Sequence, residues 1–275
     1  MTEALSLREN VSPTISRRER GAWRQYTALL HNQMRFMWAD KEGVVLMLVV
    51  PIISIAFSQK LFEPLVHLEG YPHATGSIQS VPGLGIFFLL YLPTMLSVSM
   101  FREHIWNTWS RLRVLSVSKG TLLAGQVSAW AFVGLVQQAL IVGSGLLFFG
   151  LPGGTRLLLI SVPGVLLIGC CSAIGVILYS LCRDIAQISG FASIMSLVMG
   201  GTAGALVPLS VLPRFVGWIG RLYPPYWALR AYHYSILGGN MNRNFVLPVV
   251  VLLCYFTALL IAAVTWFKRD MRKLV

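Results

Sequence analysis

Residues 157–182 read LLLISVPGVLLIGCCSAIGVILYSLC, a stretch without a single charged side chain. A helix needs about 20 mostly apolar residues to cross the hydrocarbon of a bilayer, which is about 30 Å thick. Because lipid offers no partner for a backbone N–H or C=O group, a run of this length predicts a membrane-spanning helix. Five more stretches of the chain lack Asp, Glu, Lys and Arg in the same way.

The composition of the whole chain points the same way. Of its 275 residues, 56% are hydrophobic and 12% are charged, whereas soluble domains are about 45 to 50% apolar and about 25% charged. This balance argues against a soluble enzyme, a disordered tail and a disulfide-stapled secreted domain. In so apolar a chain, the net charge of +12 indicates a membrane rather than nucleic acid as the partner.

The predicted fold class is all-α integral membrane, with six transmembrane helices preceded by an N-terminal amphipathic interfacial helix. Trimming the polar and Pro- or Gly-rich ends of the uncharged stretches places the spans at 43–62, 81–101, 121–150, 157–181, 185–209 and 245–267. The other segments are a flexible N-terminus, the amphipathic helix, a cytoplasmic loop, an outer re-entrant segment and a basic tail, at 1–13, 14–42, 101–120, 210–232 and 268–275.

The orientation follows from Lys and Arg, which cytoplasmic loops retain in excess. With the N-terminus inside, the inner segments hold sixteen of these residues and the outer segments hold six. This asymmetry predicts that both termini are cytoplasmic. We expect the chain in a cell inner or plasma membrane, in a bacterium.

The segment 14–42 has the pattern of a helix that lies in the membrane interface. Ser16 and Glu19 have the spacing of a capping box, which predicts that the helix begins there. Apolar and aromatic residues recur at helical spacing, at Trp23, Tyr26, Leu30, Met34 and Met37. Arginines on a neighbouring face are expected to contact anionic membrane lipids. Packing of this helix on a soluble partner is the alternative.

The chain holds no energy source of its own. All ten Asp and Glu residues lie outside the predicted spans, so no membrane carboxylate is expected to relay a proton. No GxxxxGK[ST] loop is present to cradle the phosphates of ATP. The four cysteines lie in or beside apolar runs and lack metal-ligand spacing, so we interpret them as small buried side chains. We expect no catalytic residue, no metal and no cofactor in this chain, and energy from another subunit.

Two blocks of the sequence resemble a known family. Residues 101–126 read FREHIWNTWSRLRVLSVSKGTLLAGQ, and residues 208–230 read PLSVLPRFVGWIGRLYPPYWALR. They are similar to the cytoplasmic loop, and to the segment ahead of the last helix, of ABC-2 type transporter permeases, particularly the daunorubicin-resistance-like drug exporters. Asn107 and Ser116 depart from the family pattern, which favours glycine and proline at these positions.

This resemblance implies one half of an exporter. Two permease chains, identical or sisters, would form a twelve-helix pore, and a pair of cytoplasmic ABC ATPase subunits, which carry ATP and Mg, would drive it. In such permeases the first cytoplasmic loop docks on the ATPase. The resemblance carries that role onto Arg102, Glu103, Asn107, Arg111, Leu112 and Lys119. The alternative is that the loop is basic only because cytoplasmic loops are basic.

Polar residues inside the predicted spans are candidates for the transport pathway. Amides and hydroxyls in hydrocarbon are costly without partners or water, so they should face the bundle or the pathway. They form a stripe on the second span and another on the third, at Tyr91, Thr94, Ser97, Gln126, Gln137, Gln138 and Ser144. Hydrogen bonding between helices, without contact to cargo, is the alternative.

Two further patterns lie nearer the C-terminus. Small residues on one face of the fifth span predict a helix-packing seam, within the chain or between two permeases, at Ser189, Ser193, Ser196, Gly200 and Gly204. The segment 210–232 has too many breaks to span, and its aromatic residues suit short helices at the outer interface. By resemblance it would form an outer gate, at Trp218, Tyr223, Pro224, Pro225, Tyr226, Trp227 and Arg230. A plain aromatic belt is the alternative.

The expected function is export of an amphipathic or hydrophobic compound, drug-like or lipid, by the membrane subunit of an ATP-driven transporter. Export of a polysaccharide or a lipid-linked glycan is an alternative within the same family. A membrane scaffold without transport is an alternative from another class.

Overall fold

The computed structural model describes residues 12–39, 41–68, 75–105, 119–152, 156–237 and 242–273. Every regular element in these ranges is a helix, which confirms the predicted all-α class. In chain order the helices are α1 Ser12–Ala39, α2 Lys41–Leu68, α3 Ser77–Leu89, α4 Leu92–Ile105, α5 Lys119–Leu147, α6 Leu157–Leu181, α7 Ile185–Thr202, α8 Arg214–Gly220, α9 Pro224–Ile236 and α10 Arg243–Lys273.

Among the described residues, six helical stretches are long and apolar enough to cross a membrane, which confirms the predicted number of spans. They are Lys41–His67, Ser77–Glu103, Gly120–Leu147, Leu157–Leu181, Ile185–Thr202 and Arg243–Phe267. The fourth has the predicted bounds, because Arg156 precedes it directly and Arg183 follows it closely.

Five of the six spans differ from their predicted bounds at one end or both, and α1 also begins elsewhere than predicted. α1 begins at Ser12, so Ser16 and Glu19 lie inside the helix, and the capping-box prediction is wrong. Pro13 lies in the first turn, where a residue without an N–H loses no intrahelical hydrogen bond. α7 ends at Thr202, seven residues before the predicted end of the fifth span. α10 continues through Lys273, into the segment predicted as a basic tail.

Charged residues reach further into the helices than the sequence predicts. Glu42, Glu63 and Glu103 lie inside the candidate spans Lys41–His67 and Ser77–Glu103, so the prediction that every acid lies outside the spans is wrong. Glu42 and Glu63 are exposed near the ends of α2, where a charge costs less than at the bilayer centre. The bounds of the predicted spans lie within two residues of these three carboxylates, whereas the backbone helices continue past them.

The second span is broken rather than continuous. α3 ends at Leu89 and α4 begins at Leu92. Pro93 has no N–H to donate to the turn before it, which interrupts the helical hydrogen bonds. The carbonyl oxygen of Leu90, inside the break, accepts a 2.9 Å hydrogen bond from Ser196 Oγ of α7. A side chain of another helix thus supports the interrupted backbone.

The chain divides into two compact units. The first unit combines residues 1–41 with 102–129, and the second combines residues 42–101 with 130–275. α4 and α5 each contribute residues to both units.

In the first unit, α1 packs on the beginning of α5. Tyr26 Oη of α1 donates a 2.9 Å hydrogen bond to Ser128 Oγ of α5. A Cβ on Gly125 would lie 3.3 Å from the Leu29 Cβ, so the two helices approach closely at this glycine. This packing places α1 beside the residues that precede and follow the loop at 106–118.

The second unit is built around α6, α9 and α10. α6 packs against α10, and α9 packs against both of them and against α3. Leu159, Ala231 and Phe245, one from each of these three helices, are buried together. α9, which belongs largely to the segment predicted to be re-entrant, therefore contributes to the buried core of the second unit.

Candidate functional site

Glu103 is the centre of a polar cluster at the end of α4, in the first unit. Gln33 of α1 donates a hydrogen bond from Nε2 to Glu103 Oε1. The side chain of Gln126, on α5, lies beside the same carboxylate. Gln33 is 6% exposed and Gln126 is 3% exposed. One carboxylate therefore bonds one buried amide and lies beside a second, and the two amides belong to two other helices.

Gln33 is a member of this cluster that the sequence pattern did not predict. Tyr26, Gln33 and Met37 follow one another at seven and four residues, so they share one side of α1. The apolar pattern assigned that side to Tyr26 and Met37 and left the amide out because it is polar. Trp23 was assigned to the same side but is 66% exposed, with its ring centroid 5.6 Å from that of Tyr26. The sequence signal that identifies Gln33 as buried is its position four residues, about one helical turn, before Met37.

The predicted ATPase-docking residues are described in part. Arg102 is exposed beside Glu103 at the end of α4. Lys119 is the first residue of α5, and of this residue only the backbone is described. Three predicted docking residues lie outside the described residues: Asn107, Arg111 and Leu112. Glu103, which was also assigned a docking role, thus lies inside the predicted loop at 101–120, in the part of it that the structure describes as the end of α4.

Two of the predicted pathway hydroxyls bond backbone oxygens inside the second unit. Ser97 Oγ lies 2.6 Å from the Pro93 carbonyl oxygen and 2.7 Å from the Gly175 carbonyl oxygen of α6. Ser144 Oγ donates a 2.9 Å hydrogen bond to the Ile141 carbonyl oxygen of its own helix. Both hydroxyls are buried. This geometry favours hydrogen bonding between helices for Ser97, whereas Ser144 bonds a backbone oxygen of its own helix.

The other two members of the second-span stripe have different surroundings. Tyr91 is exposed at the break between α3 and α4, where its ring stacks on Phe88 with centroids 6.2 Å apart. Thr94 is half-buried in the first turn of α4. Buried Ser97 and exposed Tyr91 therefore do not line one common surface.

The adjacent amides of α5 differ in their bonding. Gln137 is fully buried, and neither its Oε1 nor its Nε2 has a hydrogen-bond partner. Gln138 is half-buried, and its Oε1 accepts a 3.0 Å hydrogen bond from Tyr232 Oη of α9. The Nε2 of Gln138 is buried without a partner. Because buried polar atoms are rarely left unpaired, these amides are the positions in α5 best suited to water or cargo.

A cavity with both polar and apolar walls lies where α3, α9 and the segment after α7 meet. Its volume is about 280 Å³, and Gln79, His233 and Arg230 contribute to its lining. Gln79 Nε2 donates a 2.8 Å hydrogen bond to the Gly204 carbonyl oxygen. Burial lowers the pKa of His233 to about 4, and a hydrogen bond to the backbone of Ile78 opposes this in part. The imidazole is therefore uncharged at neutral pH.

The predicted gate residues on α9 are mostly buried. α9 begins with Pro224 and Pro225, directly after Tyr223. Proline suits the first helical turn, because the N–H groups of that turn have no intrahelical partner and proline loses no hydrogen bond by lacking one. Pro224, Pro225 and Tyr226 are buried, whereas Arg230 is exposed. This half of the predicted gate is anchored in the helical core of the second unit.

The gate residues on and near α8 face outward. Trp218 is 71% exposed, and the Arg221 guanidinium lies 5.8 Å from its ring centroid, a cation–π distance. Trp227 Nε1 donates a 2.9 Å hydrogen bond to the Arg221 carbonyl oxygen. An exposed tryptophan beside an arginine suits the membrane interface, which was the alternative reading of this segment.

The predicted small-residue seam on α7 packs, in part, within the chain. Ser196 bonds Leu90, and a Cβ on Gly200 would lie 2.6 Å from the Phe87 ring, so α7 approaches α3 closely at these two positions. The other three differ: Ser189 is half-buried, Ser193 is exposed, and Gly204 follows the end of the helix.

The cysteines are free thiols in different surroundings. Cys170 and Cys171 are buried in α6, and Cys182 is half-buried after it. Cys254 is exposed on α10, so the interpretation of all four as buried side chains is wrong for this one. Among the described residues no group of three His, Cys, Asp or Glu side chains is placed to hold a metal ion.

The chain was compared with known protein families. Residues 24–237 match the ABC-2 type transporter family. The matched range covers more than three quarters of the 275 residues and takes in the Glu103 cluster, both polar stripes and the predicted gate. No curated protein matches the chain.

Proposed function

The chain belongs to the ABC-2 type transporter family, and from that membership we propose that it is the permease of an exporter for an amphipathic or hydrophobic compound. Members of this family are membrane components of transporters, which agrees with the six candidate spans. The proposal includes outward movement of a drug-like molecule or lipid through the inner membrane of a bacterium. The observation that carries it is the Glu103 cluster, which joins three helices beside the cytoplasmic loop.

The proposed energy source is a pair of ABC ATPase subunits that bind ATP and Mg. The chain has no phosphate-binding GxxxxGK[ST] loop, so hydrolysis falls to partner subunits. Two permease chains, identical or sisters, would complete the pathway. The loop at 106–118 is the surface proposed to dock on the ATPase, together with exposed Arg102 at its start.

The proposed coupling runs through Glu103. A movement of the loop displaces the end of α4, and the carboxylate transfers that displacement to α1 through Gln33 and to α5 through Gln126. A hydrogen bond contributes about 0.5–1.5 kcal/mol net. The bond to Gln33 and the contact with Gln126 therefore connect the end of α4 with α1 and with the beginning of α5.

The test compares Glu103→Ala with Glu63→Ala, which removes an exposed carboxylate of α2. Each permease is co-expressed with the ABC ATPase encoded beside it, and ATP-dependent uptake of a fluorescent drug substrate into inverted vesicles is measured. Glu103→Ala should lower uptake about two- to tenfold, since the loss of one net hydrogen bond costs about 0.5–1.5 kcal/mol and about 1.4 kcal/mol corresponds to a factor of ten. Glu63→Ala should leave uptake unchanged.

Permease content and ATP hydrolysis are measured in the same vesicles. Normal permease content with normal hydrolysis and low uptake identifies a coupling defect. Wild-type uptake by Glu103→Ala would contradict the coupling route. A wild-type permease that shows no ATP-dependent uptake of any amphipathic probe would contradict the exporter itself and leave the scaffold alternative.

A further inference from the structure

A cavity of about 420 Å³ lies between α5 and α6 in the second unit. Both helices give it apolar walls, and Gln138, Ser161 and Tyr232 are the polar side chains among its lining residues. Its size is within the range of about 300–1,000 Å³ that holds drug-sized ligands. The site therefore has the dimensions and the apolar character of a small-molecule pocket rather than of a packing defect.

The cavity opens to the side of the helical bundle. Leu135 on α5, and Leu157 and Val165 on α6, line it and are 44%, 57% and 53% exposed. Both helices belong to candidate membrane spans, so this opening is on a surface that lipid would face. A molecule dissolved in the membrane could reach the cavity without crossing an aqueous loop.

The chemistry of the lining selects an uncharged ligand. No Asp, Glu, Lys or Arg is among the described residues that line the cavity. A charge without a partner in such apolar surroundings is too costly to bind. A neutral molecule with a large apolar body is therefore the ligand class that this cavity can hold.

One polar group of a residue that lines the cavity has no hydrogen-bond partner in the part of the chain that the structure describes. Tyr232 Oη donates to Gln138 Oε1 over 3.0 Å, which fixes one end of the amide. The Nε2 of Gln138 is buried and makes no hydrogen bond. An unpaired buried donor raises the free energy of the empty site by about 1–3 kcal/mol, and a ligand that accepts a hydrogen bond relieves that cost.

Two glycines keep this arrangement open. A Cβ on Gly164 would lie 2.5 Å from Tyr232 Oη, so only glycine lets the tyrosine reach Gln138. A Cβ on Gly143 would meet no atom within 4 Å, so a side chain at that position would extend into free space. Gly143 lines the cavity, which makes it the position from which the cavity can be filled.

We propose that the cavity between α5 and α6 is a lateral binding site for a neutral, largely apolar molecule with a carbonyl or ether oxygen, which accepts a hydrogen bond from Gln138 Nε2. This inference rests on the proposed export function, for which it defines the class of cargo. Because Tyr232 belongs to α9, the same amide connects bound cargo with the helix that carries the predicted outer gate.

The test uses tritiated benzophenone, a neutral aromatic ketone that cross-links to nearby C–H bonds on illumination. The full-length permease is reconstituted in phosphatidylcholine nanodiscs, illuminated with increasing probe, and digested for mass spectrometry. Saturable labelling should concentrate in peptides that contain 135–146 and 157–168. Equal, non-saturable labelling of all lipid-facing helices would overturn the proposal.

Two matched variants separate the cavity from general membrane partition. Gly143→Leu should lower cavity labelling about tenfold by filling the space, as expected when most of the apolar contact is lost. Gly190→Leu, on α7, also meets no atom within 4 Å but does not line the cavity, and should label like the wild type. Equal labelling of the two variants would overturn the site.

The hydrogen bond to Gln138 has its own measurement. Unlabelled benzophenone and diphenylmethane, which lacks the ketone oxygen, compete with the tritiated probe. The ketone should compete about five- to tenfold better in the wild type, the worth of one net hydrogen bond, and the difference should disappear in Gln138→Leu. An unchanged preference in Gln138→Leu would exclude this amide as the anchor.

These outcomes are independent of the ATPase. Labelling of the cavity without ATP-driven uptake in vesicles would contradict the exporter and leave the binding site standing. Uptake that survives Gly143→Leu without cavity labelling would contradict the binding site and leave the exporter standing.

Discussion

Gly204 has a left-handed backbone conformation, with φ at 86°, two residues beyond the end of α7. This conformation costs a residue with a Cβ about 1–2 kcal/mol. A Cβ there would also lie 2.7 Å from the Leu209 Cγ. The carbonyl oxygen of Gly204 accepts the hydrogen bond from Gln79. The glycine therefore both ends α7 and holds α3 close to the segment that follows.

Gly204→Ala should destabilise the protein, whereas Gly201→Ala should not. A Cβ on Gly201 meets no atom within 4 Å, and alanine favours the helix at that position. We expect Gly204→Ala to lower the apparent melting temperature of the detergent-purified permease by about 4 °C, given about 2–4 °C per kcal/mol in a chain of this size. An equal melting temperature for the two variants would show that the left-handed turn carries no stability.

Single residues were predictable where residue type alone decided their place, as for Arg102, which was assigned to the loop at 101–120 and is exposed. Glu103 was assigned to the same loop, but it is half-buried at the end of α4, inside a candidate span. Gln33 was not predicted, because a buried amide on an apolar helix face is explained only by its partner, and that partner is far away in the sequence. Gln138 was predicted as polar and inward-facing, but its bond to Tyr232 depends on a glycine in a third helix.

At the scale of the element, the broken second span shows where hydropathy is insufficient. An 18-residue window within Ser77–Glu103 has a mean hydropathy of 1.9, so an apolar count treats the stretch as one span. The break arises from Pro93 and is stabilised by Ser196 of α7, which no local pattern reveals. The fifth span shows the reverse case, since residues 203–209 are apolar but lie beyond the end of the helix.

Ser196→Ala should weaken the support of this break, and Ser193→Ala should not. Both serines lie on α7, but Ser196 is buried and bonds the Leu90 carbonyl oxygen, whereas Ser193 is exposed. Hydrogen bonds between membrane helices average about 0.6 kcal/mol and reach about 1.7 kcal/mol. We expect Ser196→Ala to melt about 2 °C lower than Ser193→Ala, measured by intrinsic fluorescence during heating. A melting temperature at or above that of Ser193→Ala would show that this bond does not stabilise the break.

At the scale of the whole molecule, the distribution of charge carries the prediction of topology. The net charge of +12 comes from 22 Lys and Arg residues against 10 Asp and Glu residues. Six helices with the N-terminus inside place sixteen of the basic residues in cytoplasmic segments, which follows the positive-inside rule. The same orientation places the loop at 106–118 where a cytoplasmic ATPase could reach it, so the coupling proposal depends on it.

Cysteine labelling in intact cells tests this orientation directly. Cys182 and Cys254 are replaced by alanine, while Cys170 and Cys171 remain because they are buried from an aqueous reagent. With a membrane-impermeant maleimide, Gly70→Cys should be labelled from outside, and Asn107→Cys should be labelled only after permeabilisation. The reason is that these positions precede and follow the second span, so they must lie on opposite sides of the membrane. Labelling of Asn107→Cys in intact cells would place the loop outside, and ATPase coupling through Glu103 would be impossible.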